Sequence, residues 1–268
     1  MPEGPEVETV VRTLEKQIKN NRITDVKIFY SKIIETPNFI ENVFNKRFVS
    51  FERRGKFLVL GLDRGYLVIH LRMEGKFYID TNDLVDKHTH AIFKLDDDRY
   101  LKYHDTRKFG RIGYVLEISN HPGIARLGLD VLDDKFTGKY LKEKLSSKVI
   151  PIKSSLLDQS IVSGIGNIYV NEILFKARVH PNQPSNSLST FKINQIVKSS
   201  KEVIAEAIEL GGTTIRSYTS SLNVHGRFDQ KLLVHTKEVC SVCETPIKKI
   251  YVNKRGTYYC PRCQKLKK

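Results

Sequence analysis

The first residues of the chain carry an unusual set of reactive groups. Met1 precedes Pro2, a small residue after which initiator methionine is usually removed, and its removal would leave a free secondary amine beside Glu3 and Glu6. An unperturbed α-amino group has a pKa of about 7.7 to 8.0, so part of it is uncharged at pH 7. An uncharged amine can attack an aldehyde-level carbon, such as C1′ of deoxyribose, and form an imine. Covalent catalysis by Pro2 is therefore one interpretation of the N-terminus.

The same residues also fit a purely structural interpretation. Glu3 and Glu6 in the first turn of a helix complement the helix dipole, and Pro5 is a favoured first helical residue. These residue types alone therefore favour the structural interpretation.

Four cysteines near the C-terminus form two Cys-x2-Cys pairs with sixteen residues between them. They are Cys240, Cys243, Cys260 and Cys263, and the chain has no other cysteine. Each pair can present two thiolates on one side of a tight turn, which is typical of a tetrahedral zinc site. Two disulfides or free thiols are the alternatives. The N-terminus has no secretory signal pattern, so we expect a reducing compartment, where zinc is favoured. We therefore expect one structural zinc ion with no open position for catalysis.

The charge of the chain favours a polyanionic partner. Its 268 residues include 45 Lys and Arg against 30 Asp and Glu, for a formal net charge of +15. Such an excess is typical of proteins that bind nucleic acid or an anionic membrane surface. No apolar run approaches the roughly 18 residues of a spanning helix. We therefore expect a cytoplasmic protein that acts on nucleic acid and does not enter a membrane.

Three stretches of the chain show patterns of secondary structure, and the predicted elements must position these groups. Residues 6–20 carry apolar side chains at helical spacing, with Pro5 in the first turn. Residues 48–115 contain short β-rich runs separated by turn signals such as Asp63-Arg64-Gly65, which predicts antiparallel hairpins in a sandwich or barrel. Helical periodicity returns between residues 130 and 210. The predicted order is a terminal helix, a β-domain, a helical domain and a small metal module.

Six further motifs occur along the chain in a fixed order. They are Met1-Pro2-Glu3-Gly4-Pro5-Glu6-Val7-Glu8, Arg54-Gly55-Lys56-Phe57, His70-Leu71-Arg72-Met73, Asp105-Thr106-Arg107-Lys108-Phe109-Gly110, Gly164-Ile165-Gly166-Asn167-Ile168-Tyr169 and Gly211-Gly212-Thr213-Thr214. With the four cysteines, they resemble the formamidopyrimidine-DNA glycosylase family over nearly the whole chain. The resemblance implies a bifunctional enzyme of base excision repair that removes 8-oxoguanine and formamidopyrimidines. It also implies cleavage of the abasic strand by β,δ-elimination.

The resemblance implies an α+β fold in three parts. We expect a catalytic β-sandwich domain with a flanking helix over residues 2–130 and a helix-two-turn-helix DNA-binding domain over residues 131–222. A zinc-finger hairpin is expected over residues 223–268. We also expect a monomer whose partner is damaged double-stranded DNA.

The same resemblance assigns roles to the reactive groups. Pro2 attacks C1′ through its amine, Glu3 acts as general acid at the ring oxygen of the sugar, and Glu6 assists proton movement around the amine. Lys56 completes the catalytic set, because it matches the family lysine that contacts the DNA backbone near the lesion.

A second set of residues is assigned to DNA binding. These residues are His70, Met73, Arg107, Phe109, Lys153, Asn167 and Arg255. A base inside a duplex must be extruded before it can react, at a cost of roughly a few kcal/mol. Met73, Arg107 and Phe109 match the residues that fill the vacated space, with Arg107 at the orphaned cytosine and Phe109 wedged between bases. The loop that holds the extruded purine is matched by Thr213, Ile215, Arg216, Ser217 and Tyr218.

Two other functions stay open on the sequence alone. The endonuclease VIII-like branch shares the Pro-Glu-Gly-Pro-Glu start but removes oxidised pyrimidines. Its void-filling residues resemble one contiguous loop, so the separation of Met73 from Arg107 and Phe109 favours purines here. A non-enzymatic zinc-ribbon DNA-binding protein would keep the cysteines but would not need a free amine at Pro2.

Overall fold

The computed structural model describes residues 1–213 and 226–267, and the chain divides into two compact units. The first unit contains residues 1–2 and 6–125 together with Thr213 and Gly226. The second unit contains residues 3–5, 126–212 and 227–267. Within the described ranges, no helix has both the length and the apolar content that crossing a bilayer requires.

The first unit is built on two antiparallel four-stranded sheets. Its helices are α1 (Gly4–Ile18), α2 (Phe39–Val43) and α3 (Pro122–Ala125), and its strands are β1 (Ile23–Ile28), β2 (Phe48–Arg54), β3 (Phe57–Leu62), β4 (Tyr66–His70), β5 (Lys76–Asp80), β6 (Thr89–Leu95), β7 (Tyr100–His104) and β8 (Arg111–Val115). The strand order is β1-β6-β7-β5 in one sheet and β2-β3-β4-β8 in the other. The predicted turn at Asp63-Arg64-Gly65 joins β3 to β4, and Gly65 has a left-handed φ of 77° there.

One apolar core joins both sheets to α1. The helix contributes side chains that recur at helical spacing and are at most 3% exposed, namely Val7, Val11, Leu14 and Ile18. Strands from both sheets supply most of the remaining core side chains, and α2 adds Phe39 and Val43. The unit is therefore a β-sandwich with a flanking helix, which confirms the prediction from the sequence.

The second unit is mainly helical. Its helices are α4 (Gly138–Leu145), α5 (Ile152–Leu157), α6 (Asn167–Lys176) and α7 (Thr190–Glu209), and its strands are β9 (Leu129–Asp130), β10 (Val162–Ser163), β11 (Lys248–Val252) and β12 (Arg255–Tyr259). The hydroxyls of Thr137 and Ser189 accept backbone N–H groups at the starts of α4 and α7, as N-cap residues do. One apolar face of α7, from Ile193 to Ala207, packs into the core of this unit. The helical domain is therefore confirmed.

The strands β11 and β12 form a hairpin between the two cysteine pairs. Asn253 and Lys254 occupy its two-residue turn with left-handed φ values of 46° and 62°, as tight hairpin turns require. The buried cluster around the cysteines is small and consists of Phe175, Val234, Cys240 and Cys260. So little apolar burial indicates that the hairpin depends on bonds of another kind.

Candidate active site

The carboxylate of Glu3 is fixed at the N-terminus of α6. The side chain is 4% exposed. Its Oε1 accepts the N–H of Ile168 at 3.0 Å, and its Oε2 accepts the N–H of Tyr169 at 3.4 Å. The first amides of a helix have no partner within the helix, and the helix dipole favours an anion there. Glu3 thus complements the dipole of α6, whereas the structural interpretation of the sequence placed it on its own helix.

Two glycines allow the N-terminal segment to approach the turn before α6. A Cβ on Gly166 would lie 2.0 Å from the Cδ of Glu3. The N–H of Gly4 donates to the carbonyl oxygen of Gly164 at 2.9 Å, and a Cβ on Gly4 would lie 2.7 Å from that oxygen. The absence of both side chains therefore sets the position of the Glu3 carboxylate.

The other two N-terminal residues of the predicted set, Pro2 and Glu6, are also buried. Glu6 Oε1 accepts the backbone N–H of Thr213 at 2.8 Å and its hydroxyl at 3.1 Å. Glu6 thereby fixes the first residue of the predicted lesion loop. The remaining members of that loop lie outside the described residues, namely Ile215, Arg216, Ser217 and Tyr218.

Lys56 and His70 occupy neighbouring positions at one end of the β2-β3-β4-β8 sheet. Lys56 is 7% exposed and follows Gly55, whose φ of 57° forms the turn between β2 and β3. His70 ends β4, and its Nδ1 accepts the N–H of Arg72 at 3.0 Å. Burial, reinforced by the positive charges of Arg72 and Lys56, lowers the pKa of His70 to about 3. His70 is therefore uncharged at neutral pH and carries its proton on Nε2, from which it can donate one hydrogen bond.

Met73, Arg107 and Phe109 lie on two turns of the first unit. Met73 is 37% exposed between β4 and β5, and Phe109 is 48% exposed between β7 and β8. The guanidinium carbon of Arg107 lies 4.8 Å from the centre of the Phe109 ring, within the range of a cation–π contact. Neither Met73 nor Phe109 fills the core, so both apolar side chains are available to a binding partner.

Lys153 is the centre of a buried hydrogen-bond cluster in the second unit. Its side chain is fully buried, and its ammonium donates to Oδ1 of Asn171 at 2.9 Å, to Oγ1 of Thr257 at 2.8 Å and to the carbonyl of Gly256 at 3.1 Å. Burial lowers the pKa of Lys153 to about 7, against an opposing effect of the Glu3 carboxylate. The cluster connects α5 and α6 to β12 and so holds the hairpin on the helices.

Asn167 and Arg255 lie beside this cluster. Asn167 is the first residue of α6, and its Nδ2 donates to the carbonyl of Gly256 at 3.1 Å. The buried Oδ1 of Asn167 has no hydrogen-bond partner among the described residues. Arg255 opens β12 with an exposed side chain. The hairpin therefore presents the exposed guanidinium of Arg255 next to an asparagine that is already fixed on one side.

Two buried carboxylates that support these groups were missed by the sequence analysis. Glu172 is 2% exposed and accepts the N–H groups of three successive residues, Leu233, Val234 and His235, at 2.7 to 3.2 Å. Asp105 is fully buried and accepts the N–H groups of Arg107 and Gly110. A charged residue inside the apolar run 168–175 was the available signal for Glu172. Asp105 stood at the start of one of the six motifs, but no role was assigned to it.

The four cysteines have the geometry of a tetrahedral metal site. All four Sγ atoms lie within 4.8 Å of one another, with Cys243 and Cys260 3.5 Å apart and Cys240 and Cys263 3.9 Å apart. Four thiolates at about 2.3 Å from a tetrahedral zinc ion lie about 3.8 Å apart, whereas a disulfide requires about 2.05 Å. In residues 1–213 and 226–267, no other group of three or more His, Cys, Asp or Glu is close enough to share an ion. The site takes one structural zinc ion and confirms the expectation from the spacing.

Three family models match successive parts of the chain. Residues 1–112 match the formamidopyrimidine-DNA glycosylase N-terminal domain, residues 127–219 the formamidopyrimidine-DNA glycosylase H2TH domain, and residues 237–266 a zinc finger found in FPG and IleRS. The curated formamidopyrimidine-DNA glycosylase of Exiguobacterium sibiricum is 44% identical and covers 99% of each chain.

Solved structures agree with these matches. A Lactococcus lactis FPG mutant in complex with a Fapy-dG containing DNA has a TM-score of 0.93 and 38% identity, and the match covers 98% of this chain and 100% of that one. A structure of MutM in complex with carbocyclic 8-oxo-G containing DNA has a TM-score of 0.91 and 37% identity, with the same coverage.

Proposed function

The chain belongs to the formamidopyrimidine-DNA glycosylase family, and from this premise we propose that it excises oxidised purines and then cleaves the abasic strand. The class follows from the family: the protein is a DNA repair glycosylase with a zinc finger. The proposed substrates are 8-oxoguanine and formamidopyrimidines in double-stranded DNA. We propose that the enzyme acts as a monomer in the cytoplasm, with the three domains 2–130, 131–222 and 223–268.

The observation that carries the proposal is the fixed carboxylate of Glu3 directly after Pro2. Two amides of α6 hold this carboxylate in one place, and such prior fixation is what a general acid–base group requires. The amine next to it is the proposed nucleophile. A merely structural helix start would not need a buried carboxylate on a second helix.

The proposed reaction begins at the sugar. The lone pair of the Pro2 nitrogen attacks C1′, and the bond from C1′ to the purine nitrogen breaks with its electron pair leaving on the base. Glu3 supplies a proton to the ring oxygen, so the sugar opens as an imine on Pro2. Loss of a proton from C2′ then expels the 3′ phosphate, and a second elimination expels the 5′ phosphate. Glu6, fixed on Thr213, assists proton movement near the amine.

The preference for purines is supported by the placement of the void-filling side chains. Met73 lies on one turn, whereas Arg107 and Phe109 lie on another. This arrangement is the one that favours purines over the contiguous loop of the endonuclease VIII-like branch. The similar solved structures hold Fapy-dG and 8-oxo-G, which are purine lesions.

The proposed DNA contacts use both units. His70 can donate its Nε2 proton to a phosphate, and Lys56 adds a positive charge near the lesion. In the second unit, Arg255 and the second N–H of Asn167 Nδ2 can donate to a phosphate, and Lys153 supports both residues through Gly256 and Thr257. Lys153 thus contributes to DNA binding through the hairpin.

Borohydride trapping tests the proposal. The trimmed protein should form a covalent adduct on a duplex with 8-oxoguanine, and peptide mapping should place the adduct on Pro2. Protein that retains Met1 or carries an N-terminal tag should give no adduct, because a proline nitrogen inside an amide has no nucleophilic lone pair. A C-terminally tagged protein is the matched control. Full cleavage by the blocked protein, or faster reaction with an oxidised pyrimidine, would contradict the mechanism or the specificity respectively.

The role of Glu3 has a separate test. Glu3→Gln should retain duplex binding but lose base excision by about 10²- to 10⁴-fold, the usual worth of a positioned proton donor. Single-turnover release of 8-oxoguanine measures the rate, and Glu15→Gln on the exposed side of α1 is the control. An unchanged excision rate in Glu3→Gln would exclude Glu3 as the proton donor and leave it only a structural role at the N-terminus of α6.

A further inference from the structure

The turns that carry Met73 and Phe109 contact the same buried hydroxyl. Tyr103 in β7 is fully buried. A Cβ on Gly110 would lie 1.6 Å from the hydroxyl oxygen of Tyr103, and a Cβ on Gly75 would lie 2.3 Å from it. Gly110 closes the turn after Phe109, and Gly75 closes the turn after Met73. The backbones of both turns therefore pack directly on Tyr103.

Asp105 connects the Tyr103 hydroxyl to the second turn. Its buried carboxylate accepts the N–H of Arg107 at 2.9 Å, the N–H of Gly110 at 2.8 Å and the hydroxyl of Tyr103 at 3.4 Å. Burial, together with the Asp105 charge, raises the pKa of Tyr103 far above its ordinary value. The hydroxyl therefore keeps its proton and remains a donor to Asp105.

A second link joins the two turns at the surface. The hydroxyl of Thr106 donates to the carboxylate of Glu74. Glu74 follows Met73, and Thr106 precedes Arg107. The two turns are thus joined by a buried contact through Tyr103 and by a surface hydrogen bond, on either side of the side chains that they present.

We propose that Tyr103 is a positioning residue that sets the spacing between Met73 and the Arg107–Phe109 pair. The proposal rests on the proposed function, in which these three side chains enter the space left by the extruded base. Three groups on two turns must enter one gap together, and independent motion of the turns would have to be stopped on binding. Because both turns pack on the buried hydroxyl of Tyr103, their independent motion is restricted before DNA binds.

Tyr103→Phe tests this role because it removes only the hydroxyl. We expect single-turnover excision of 8-oxoguanine from a duplex to fall by about tenfold, as a small misplacement of binding groups can cost that much or more. Cleavage of an abasic site in single-stranded DNA should stay at the wild-type rate, because that substrate has no opposite base and no gap to fill. A 2-aminopurine next to the lesion should show a smaller fluorescence rise on binding.

Tyr114→Phe is the matched control. Tyr114 is a buried tyrosine of the same sandwich, and its hydroxyl donates to the carbonyl of Arg64, away from both turns. It should leave both rates unchanged. Thr106→Val removes the surface link alone and should reduce duplex excision by about twofold. This variant tests the coupling of the two turns independently if Tyr103→Phe folds poorly.

The possible outcomes distinguish failure of the positioning role of Tyr103 from failure of the proposed function. Equal slowing of Tyr103→Phe on duplex and single-stranded substrates, or no slowing in either variant, would overturn the positioning role while the glycosylase activity stands. Wild-type protein that acts on neither substrate would instead overturn the proposed function and the positioning role with it.

Discussion

The turns of the β-sandwich and the tip of the zinc hairpin both present side chains that we assign to DNA, but they are held in different ways. The turns with Met73 and Phe109 are part of a unit whose apolar core extends from Val7 to Tyr114. The hairpin tip with Arg255 is part of a segment whose own buried cluster is small and half cysteine. The turns of the sandwich are held by apolar burial, whereas the hairpin tip is held by the zinc ion and the buried Lys153.

The difference follows from the size of the two cores. Apolar burial contributes about 25 cal/mol per Å², so a large sandwich core stabilises its turns without further help. A hairpin between two cysteine pairs buries too little area for that, and a structural zinc ion contributes roughly 10 to 16 kcal/mol in small zinc modules. Loss of the zinc ion should therefore unfold the hairpin and leave the β-sandwich folded.

Zinc removal is expected to have the largest effect. Chelation, or Cys260→Ser, should abolish duplex binding because the hairpin loses its main source of folding free energy. The sandwich should keep its unfolding transition, since its core contains no metal ligand. Fluorescence anisotropy measures DNA binding, and circular dichroism follows the transition. Restored binding after zinc is returned is the control, and zinc-free protein that binds normally would break the comparison.

Lys153→Met should weaken the hairpin tip without removing the ion. The change leaves Oδ1 of Asn171 without the ammonium, at a cost of about 1 to 3 kcal/mol for an unsatisfied buried group, whereas the carbonyl of Gly256 keeps the Asn167 amide as its donor. We expect duplex affinity to fall at least about tenfold while zinc content stays at one per chain. Lys139→Met on the exposed side of α4 controls for the lost charge. Wild-type affinity in Lys153→Met would mean that zinc alone holds the tip.

Phe109→Ala tests whether a side chain on a turn of the sandwich serves excision without contributing to stability. The ring is 48% exposed, so its removal should change the free energy of unfolding by less than about 0.5 kcal/mol. Excision from a duplex should fall by about tenfold, because stacking of an aromatic ring on a base contributes about 1 to 3 kcal/mol. Phe44→Ala removes a similarly exposed ring from the same unit and should have no effect on excision. A large loss of stability in Phe109→Ala would instead place the ring in the core.

The smallest expected effect is the pH dependence of the sandwich. His70 has a folded pKa of about 3 and a pKa of about 6.5 when unfolded. Between these values the unfolded chain takes up a proton that the folded chain does not, so stability is lost as the pH falls. This group should cost about 0.7 kcal/mol between pH 7 and pH 6. Urea unfolding at both pH values should show that difference in the wild type and its absence in His70→Gln.

The sequence predicted the parts of the fold whose signal is local. Helical spacing located α1 and α7, alternation and turn residues located the sandwich, and cysteine spacing located the zinc site. No element was assigned to residues 23–28, which form β1. A register shift between Ile23 and Asp25 breaks the alternation that would have marked this strand.

Candidate site residues were named from the sequence, but how each group is held was not predicted. Glu3 was singled out, but its amide partners lie 165 and 166 residues along the chain. Lys153 was assigned to DNA, although its acceptors at positions 256 and 257 become neighbours only when the hairpin folds back. Local patterns carry no information about such contacts, because they depend on the packing of distant elements.

The missing side chain of Gly166 affects how natural variants of this gene should be interpreted. Gly166→Ala adds one methyl group and would be scored as conservative by size, charge and polarity. That methyl carbon would lie 2.0 Å from the Cδ of Glu3 and would force the carboxylate away from its amides. A genome with this single change would encode every reactive group and still displace the carboxylate that we propose as the general acid. Given the proposed role of Glu3, oxidised bases should then persist through replication, and the strain should behave as a mutator although its repair gene looked intact.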